Sequence, residues 1–236
     1  MFNKSAKYYD AIYKANSKDY VKESEKLHSL IQQHKKSSGN VLLDVACGTG
    51  LHLHYLRQHY QVEGLDLDPE ILTIAKKNQP DIPFHQASMV DFDLNKKIDV
   101  ITCLFSAIGY VETQSRLHQA IQTMTNHLND GGVLLVEPWF GPGILDTGKV
   151  HAVFVDEPDL KIARMNINRV EENISFLDFH YLVATPEGIE NFAETHKLSL
   201  FTDEEYMQAF QSAKLKTIHD PEGLDGRGLY IGIKPM

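Results

Sequence analysis

The sequence predicts an α/β protein built on a doubly wound, mostly parallel β-sheet. Two observations over residues 41–137 support this: short apolar runs alternate with segments of helical periodicity, and the first run ends in a turn with two glycines. Strand–helix alternation of this kind places successive strands parallel in one sheet. In addition, alternating β-type residues replace the helical pattern over residues 141–200, which predicts an inserted small antiparallel sheet.

The elements of the core follow in order from these runs. Each strand is a short apolar segment bounded by turn residues, and each helix carries apolar residues at spacings of three and four. The predicted strands lie at 41–45, 61–66, near 82–85, at 98–104 and at 132–137. The predicted helices lie at 51–59, 70–78 and 114–128. Ligands of such open sheets bind beyond the carboxyl ends of the strands.

Cap signals mark the start of two helices. Asp68 precedes a proline at the first helical position, and Thr202 opens a capping box with Glu205 for a helix through Ala213. The remaining predicted strands lie at 161–170, 175–184, 215–218 and 229–233. We expect the last two to form an antiparallel hairpin at the edge of the main sheet.

Composition and charge limit the classes of function. The 236 residues, 42% of them hydrophobic, are enough for one substantial core and need no second domain. A formal net charge of −9 offers no general basic surface for nucleic acid. Only Cys47 and Cys103 are present, which indicates no disulfide framework, and no apolar run has membrane-spanning length. We therefore expect a cytoplasmic protein with a small-molecule partner, and neither a nucleic-acid nor a membrane partner.

The turn after the first strand predicts a cofactor site. Gly48 and Gly50 omit side chains where the backbone must turn sharply and approach a ligand. A dinucleotide-binding fingerprint would place a third glycine where this chain has Leu53. Asp44 and Asp66 instead put two carboxylates beside the turn. This arrangement suits a positively charged ligand such as S-adenosylmethionine, whose ribose hydroxyls would bind the second acid.

Several motifs are similar to those of class I S-adenosylmethionine-dependent methyltransferases. They are Leu43–Gly50, Gly64–Asp66 and Gly131–Glu137. More narrowly, most of the chain resembles the N,N-dimethyltransferases that act on nucleotide-linked amino sugars in the desosamine and mycaminose pathways. The matching segments are Tyr9-Asp10, Lys18–Tyr20, Phe105–Tyr110, Glu137–Trp139, His180–Val183 and Gly226–Leu229. The resemblance implies a Rossmann-like methyltransferase core, N-methyltransferase activity and S-adenosyl-L-methionine as cofactor.

The resemblance also implies which residues bind the cofactor. The glycine turn would admit the methionine portion of the cofactor. Asp66 would bind its ribose, and the Ser88-Met89 pair would contact its adenine. A helical lid from the N-terminus would cover the site. The relatives typically have Gly-Asp-Met where this chain has Ala87-Ser88-Met89, so we expect an adenine contact without a charged acceptor. The full set is Tyr9, Lys18, Asp44, Ala46, Gly48, Gly50, Asp66, Leu67, Ser88, Met89, Leu104 and Phe105.

The acceptor is expected beside the loop after the fourth motif, where the methyl group and the acceptor meet in this superfamily. Methyl transfer to an amine needs a neutral nitrogen aimed at the methyl carbon, so positioning can supply most of the acceleration. Tyr110 and His180 are the candidate catalytic residues because either could take the amine proton, and the choice of base is left open. The candidate substrate-binding residues are Tyr20, Trp139, Arg164 and Arg227. Arg227, between two glycines, is preferred over Arg164 for diphosphate oxygens.

The expected organisation is a single domain with three parts. They are an N-terminal helical lid (1–38), a cofactor-binding core (39–140 and 201–236) and an inserted substrate-binding region (141–200). The preferred acceptor is a dTDP-linked amino sugar. Methylation of another small metabolite at nitrogen or oxygen, a nicotinamide-dependent dehydrogenase and a non-catalytic binding module remain as alternatives. The histidines lack carboxylates or cysteines at ligand spacing, so no metal is expected, and a homodimer is left open.

Overall fold

The protein, described by a computed structural model over residues 4–236, contains two β-sheets. The first three positions of the predicted lid lie outside the described residues. The strands are β1 (Val41–Val45), β2 (Gln61–Asp66), β3 (Phe84–Gln86), β4 (Ile98–Cys103), β5 (Leu128–Val136), β6 (Val150–Glu157), β7 (Leu160–Glu171), β8 (Ile174–Thr185), β9 (Gly188–Ser199), β10 (Lys216–Asp220) and β11 (Leu229–Ile233).

The main sheet has seven strands in the order β10-β11-β5-β4-β1-β2-β3. The five strands from β5 to β3 are parallel, while β11 runs antiparallel to both β5 and β10. Every residue of β4 is buried, as expected for a central strand of a parallel sheet covered by helices on both faces. The predicted doubly wound sheet and its antiparallel edge hairpin are therefore confirmed. The chain leaves β1 for β2 on one side and reaches β4 on the other, so the strand order reverses beside β1.

Six α-helices accompany the strands. They are α1 (Tyr9–Ala15), α2 (Tyr20–His34), α3 (Leu51–Leu56), α4 (Pro69–Asn78), α5 (Gln114–His127) and α6 (Asp203–Ser212). Both predicted caps are present: the Asp68 side chain accepts from the first backbone N–H groups of α4, and Thr202 and Glu205 form the capping box of α6. None of these helices is long and apolar enough to cross a membrane.

The helix α3 is shorter than the predicted 51–59 because its last turn tightens. The N–H groups of Gln58 and His59 bond to carbonyls three residues back, on Tyr55 and Leu56, as in a 3₁₀ turn. The chain then reaches β2 two residues later. This early end brings Tyr60 into the apolar layer between α2 and the sheet.

The second sheet is an antiparallel meander in the order β6-β7-β8-β9, which confirms the predicted insert. Side chains of successive residues alternate between its two faces. On the inward face, apolar residues such as Phe179 and Val183 pack with Tyr8 and Ile12 of the N-terminal segment. The N-terminal segment therefore lies between the insert and the main sheet.

Candidate active site

A cavity of about 810 Å³ opens at the carboxyl ends of β1, β2 and β4. The N-terminal helices and the inward face of the inserted sheet form its other walls. It lies at the reversal of strand order, where open α/β sheets bind their ligands. The predicted site residues that line it are Tyr9, Lys18, Ala46, Gly48, Asp66, Leu67, Ser88, Met89, Leu104, Phe105, Tyr110, Trp139, Arg164 and Arg227.

The two glycines of the turn have different roles. Gly48 has φ of +56°, and a Cβ added there would meet no atom within 4 Å, because it would stand in the open cavity. Gly50 does not line the cavity, and its contact with the cofactor stays a prediction. Its φ is +78°, and an added Cβ would lie 2.8 Å from Gln79 Nε2 and 3.2 Å from the Phe84 ring. Gly50 therefore permits the left-handed start of α3 and its close packing.

Asp66, at the end of β2, is held in place by backbone donors. Its Oδ2 accepts from the Gly48 N–H at 2.9 Å and its Oδ1 from the Asp68 N–H at 3.0 Å. Burial raises the pKa of this carboxyl, and the backbone hydrogen bonds partly oppose the shift. Each oxygen can accept a second hydrogen bond. The carboxylate is thus oriented for two adjacent hydroxyl donors such as those of a ribose.

Asp44, at the end of β1, is more deeply buried than Asp66. It is 2% exposed, its Oδ1 accepts from the Thr102 hydroxyl at 2.7 Å, and burial raises its pKa to about 6. It lines a smaller recess of about 30 Å³ that shares Tyr9, Ala46 and Gly48 with the main cavity. A carboxylate desolvated to this degree gains most from a cation placed beside it.

The lid is attached to the glycine turn by two polar contacts. Thr49 Oγ1 donates to Asp10 Oδ1 of α1 at 2.6 Å. Glu23 of α2 is buried between the Lys18 ammonium and His52 Nε2, each 2.7 Å from a carboxylate oxygen. Burial raises the pKa of Glu23, but its hydrogen bonds to His52 and Lys18 outweigh this, so the net shift is downward. The charge of Lys18 is therefore balanced inside the protein.

Tyr20 was expected to contact the acceptor, but it lines the small recess and not the main cavity. Its ring packs edge-on against His52 at a centroid distance of 4.9 Å. The first residue of α2 therefore closes the recess beside Asp44. The structure thus places Tyr20 beside Asp44 and not on the lining of the main cavity, and its contact with the acceptor stays a prediction.

The far end of the cofactor side is formed by Leu67, Ser88 and Met89. The Ser88 hydroxyl accepts from the Val90 N–H at 3.4 Å, and no carboxylate takes the place of the missing aspartate in this loop. Asp91, which could have compensated, does not line the cavity. Ser88 and Met89 thus present a neutral hydroxyl and an apolar side chain to the expected adenine position.

A strained corner after β4 separates the cofactor side from the acceptor side. Phe105 and Ser106 both have positive φ, +52° and +62°. The buried Glu137 carboxylate holds this corner, since its Oε2 accepts from the Phe105 N–H at 2.5 Å. Its Oε1 binds the Arg227 guanidinium at 2.8 Å, and Asp225 binds the same nitrogen. The Phe105 ring then lies between Lys18, 3.9 Å from its centroid, and Arg227, 5.3 Å from it.

His180 is not in the site. It lies on the exposed outer face of β8, because alternate residues of a strand point to opposite faces. The histidine that reaches the cavity is His196 of β9, whose Nδ1 is 2.6 Å from the Tyr110 hydroxyl oxygen. Tyr110 is therefore where the sequence predicts it, with a different histidine beside it.

The acceptor side contains two further predicted residues. Trp139 lines the cavity and donates from Nε1 to Ser175 Oγ at 2.9 Å, which fixes its ring as a wall. Arg164 of β7 is 7% exposed and lies over the rings of Phe179 and Tyr13, 4.7 and 5.5 Å from their centroids. Its Nε has no hydrogen-bond partner among the described residues.

The strand order, the cavity at its reversal and the paired carboxylates beside an open glycine turn define an S-adenosylmethionine-dependent methyltransferase. Gly48 leaves open space beside the turn, and the backbone hydrogen bonds fix the orientation of the Asp66 carboxylate. A family model described as a methyltransferase domain matches residues 42–132. The cofactor is S-adenosylmethionine, and the nicotinamide-dehydrogenase and binding-module alternatives are wrong.

Similar proteins place the chain more narrowly. It is 37% identical over 230 residues, 97% of this chain and 90% of the other, to a dTDP-3-amino-3,6-dideoxy-alpha-D-glucopyranose N,N-dimethyltransferase of Streptomyces fradiae. The crystal structure of DesVI from Streptomyces venezuelae matches with a TM-score of 0.93 and 35% identity, covering 100% of both chains. SAM-bound CalS10, an amino pentose methyltransferase from Micromonospora echinaspora, matches with a TM-score of 0.87 and 32% identity, over 99% of this chain and 98% of that one. The chain belongs to this family of sugar N-methyltransferases.

Proposed function

We propose that the protein transfers methyl groups from S-adenosylmethionine to the amino nitrogen of a dTDP-linked amino sugar. The observation that carries this proposal is a buried arginine, Arg164, on the acceptor side of a cavity that also reaches the cofactor residues. A nucleotide-linked sugar brings a diphosphate into the site, and a guanidinium is suited to bind its oxygens. Two of the relatives named above carry an amino sugar in their names, and one of these sugars is dTDP-linked, which supports the same acceptor class.

The two candidate arginines differ in the charge they can offer to a diphosphate. Arg227 is already neutralised by Glu137 and Asp225, both in ion pairs with it. Arg164 forms no ion pair with any described residue, and it contacts aromatic rings instead. Arg164 is therefore the better candidate for the diphosphate, which reverses the order expected from the sequence. Arg227 is better placed to hold the corner at Phe105.

The chemistry follows from how the residues position the two reactants. When bound, S-adenosylmethionine would supply a methyl group on a sulfonium, and the amine lone pair would attack the methyl carbon in line with the departing thioether sulfur. The residues around the Phe105 corner, together with Tyr110 and Trp139, enclose the point where the two halves of the cavity meet. Exclusion of water there strengthens the electrostatic contacts, and positioning supplies the acceleration without a strong base.

Partner and assembly are part of the same proposal. The acceptor is a small molecule, and we propose a homodimer through the outer face of the inserted sheet as the assembly. That face exposes a set of large apolar side chains. They are Val150 (72% exposed), Phe154 (65%), Met165 (45%), Ile167 (53%), Leu182 (51%) and Ile189 (75%). Contiguous apolar surface of this kind marks an interaction site more often than free surface.

The acceptor proposal is tested by incubating the purified protein with S-adenosylmethionine and a dTDP-linked amino sugar, and following the product by mass spectrometry. We expect the sugar nucleotide to gain one and then two methyl groups. The matched control acceptors are the same amino sugar without the nucleotide and the same sugar nucleotide with hydroxyl in place of amine. Methylation of the free amino sugar as fast as the nucleotide form, or of the hydroxyl analogue alone, would overturn the proposal.

The proposed binding of the diphosphate by Arg164 is tested with a separate variant. Arg164→Gln keeps the size of the side chain but removes the positive charge, so we expect the KM for the sugar nucleotide to rise about tenfold or more. The exposed Arg169 lies on the opposite face of the same strand, where it pairs with Asp178 and Glu171, so Arg169→Gln is the control. Equal effects of the two variants would show that Arg164 does not bind the diphosphate.

A further inference from the structure

The hydrogen bond between Tyr110 and His196 joins two distant parts of the chain at the acceptor side of the cavity. Tyr110 lies in the 3₁₀ turn after β4, and His196 lies on the inward face of β9. Their 2.6 Å contact is between the tyrosine hydroxyl oxygen and His196 Nδ1. His196 is 1% exposed and also packs edge-on against the Phe179 ring, at a centroid distance of 5.4 Å. The imidazole is therefore fixed in orientation behind the tyrosine.

The surroundings of the pair indicate which of the two groups donates the hydrogen. Burial raises the pKa of Tyr110 well above the ordinary tyrosine value, so the phenol keeps its proton. It lowers the pKa of His196 to about 4, so the imidazole is neutral near pH 7. Glu194 lies 3.8 Å from His196 Nε2 and raises the pKa of His196, whereas Arg164 lowers it. Both effects are smaller than that of burial. Because the Glu194 carboxylate attracts the proton of the neutral imidazole to Nε2, His196 Nδ1 carries no hydrogen and accepts from the phenol.

We propose that His196 is a positioning residue that makes the Tyr110 oxygen a hydrogen-bond acceptor only, so that this oxygen holds an N–H of the acceptor amine. This inference rests on the proposed function, since it concerns how an amine is held in that site. With its own hydrogen committed to His196, the Tyr110 oxygen offers only lone pairs to the cavity.

The direction of this hydrogen bond matters for the reaction. A free tyrosine hydroxyl could donate to the amine lone pair, which is the electron pair that must attack the methyl carbon and displace the thioether sulfur. An acceptor-only oxygen binds the N–H instead and leaves the lone pair available. A primary amine has two such N–H groups, a secondary amine has one, and a neutral tertiary amine has none. Tyr110 can therefore hold the substrate of a first and a second methylation but not that of a third.

The test is a double-mutant cycle with His196→Leu and Tyr110→Phe, measured on the full chain with a dTDP-linked amino sugar. We expect His196→Leu to lower kcat about tenfold while the KM for the sugar and the affinity for S-adenosylmethionine change little. In the Tyr110→Phe background the same histidine change should have almost no further effect, because the proposed influence of His196 on the amine passes through the tyrosine oxygen.

Two additional variants separate positioning from a loss of structure. His196→Asn places a carboxamide oxygen near the position of Nδ1, so it should restore most of kcat. His180→Leu, on the outer face of the same sheet, should leave kcat unchanged. The inference is overturned if the losses of kcat in the two single mutants multiply in the double mutant. It is also overturned if His196→Asn and His196→Leu lose the same share of kcat. If the wild-type protein methylates no amine, the proposed function fails instead.

Discussion

At the scale of single residues, Asp66 is expected to contribute most to cofactor affinity. Asp66→Asn keeps the shape but loses the charge, and its amide NH₂ can no longer accept from a backbone donor or a ribose hydroxyl. Hydrogen bonds to a charged group contribute about 1.5–3 kcal/mol, so the Kd for S-adenosylmethionine should rise roughly tenfold to a hundredfold. Isothermal titration calorimetry measures the change. Asp81→Asn, at an exposed carboxylate, is the control. An equal Kd for S-adenosylmethionine in both variants would show that Asp66 does not bind the ribose.

Substitution of Asp44 should change the stability of the apo protein and its affinity for the cofactor in opposite directions. Its folded pKa of about 6 exceeds the unfolded value of about 3.9, so the native state binds more protons between these values. The free energy of unfolding therefore falls as pH rises through this window, by about 3 kcal/mol in all. Asp44→Asn removes this cost, so the apo protein should be more stable at pH 7, while S-adenosylmethionine binds less tightly.

The pH dependence of this gain distinguishes the charge of Asp44 from a packing effect. Lowering the pH from 7 to 5 protonates much of the wild-type carboxyl, so the gain from Asp44→Asn should shrink by about 1 kcal/mol. Urea unfolding of the apo protein at the two pH values provides the measurement. A gain that stays constant with pH, or a loss of stability at pH 7, would contradict the prediction.

At the scale of elements, the sequence predicts the order and type of the core elements because each is encoded locally. Apolar runs of five or six residues and the caps at Asp68 and Thr202 depend on neighbours within one turn. The role of Gly50 was not predictable in this way, since its packing against Gln79 and Phe84 joins residues about thirty positions apart. The local sequence pattern thus located the glycine turn, but it did not show that its two glycines have different structural roles.

The two histidines show how register limits prediction from sequence. The hairpin between β8 and β9 pairs Thr185 with Gly188, which sets His180 opposite Ala193 and His196 opposite Leu177. A shift of one residue would exchange the faces of both histidines. The Pro186-Glu187 turn and the more apolar odd-numbered positions of β8 were signals that could have placed His196 inward. The resemblance to relatives indicated the segment that contains His180, but it did not show which side chains of that strand face the cavity.

The attachment of the lid can be tested through Thr49. Thr49→Val keeps the shape but removes the hydroxyl that donates to Asp10 of α1. The lid should then open more often, so backbone amides of α1 and α2 should exchange faster and the KM for S-adenosylmethionine should rise about fivefold. Hydrogen–deuterium exchange with mass spectrometry measures the first effect.

The control for the lid variant is Thr73→Val. This exposed hydroxyl donates only within its own helix, to the Pro69 carbonyl oxygen. Unchanged exchange in α1 and α2 of Thr49→Val would mean that the Lys18–Glu23–His52 contacts alone hold the lid.

At the scale of the whole molecule, the site exists only where three distant parts of the chain meet. Lys18 of the lid and Arg227 both lie close to the Phe105 ring, and Tyr110 contacts His196 of the insert. Each part presents a buried charge or polar group that another part satisfies. Chemistry at this junction therefore depends on the lid, the core and the insert being assembled together.

The outer face of the insert is where the whole molecule is expected to pair with a second copy. Its apolar centre is bordered at one end by Asp156 and Lys161 and at the other by Arg169 and Asp178, so charges of both signs lie at each end. Two copies related by a two-fold axis can therefore meet without an excess of like charge, and two such sheets can pack face to face.

We expect the wild-type protein to elute as a dimer in size-exclusion chromatography with light scattering. The double variant Phe154→Asp/Ile167→Asp places charges in the apolar centre of the face, so it should elute as a monomer that still binds S-adenosylmethionine with unchanged affinity. Met207→Asp, at an exposed apolar residue of α6 away from the sheet, should remain dimeric. A monomeric wild-type protein, or a dimer that survives both aspartates, would contradict the proposal that two copies pair through this face.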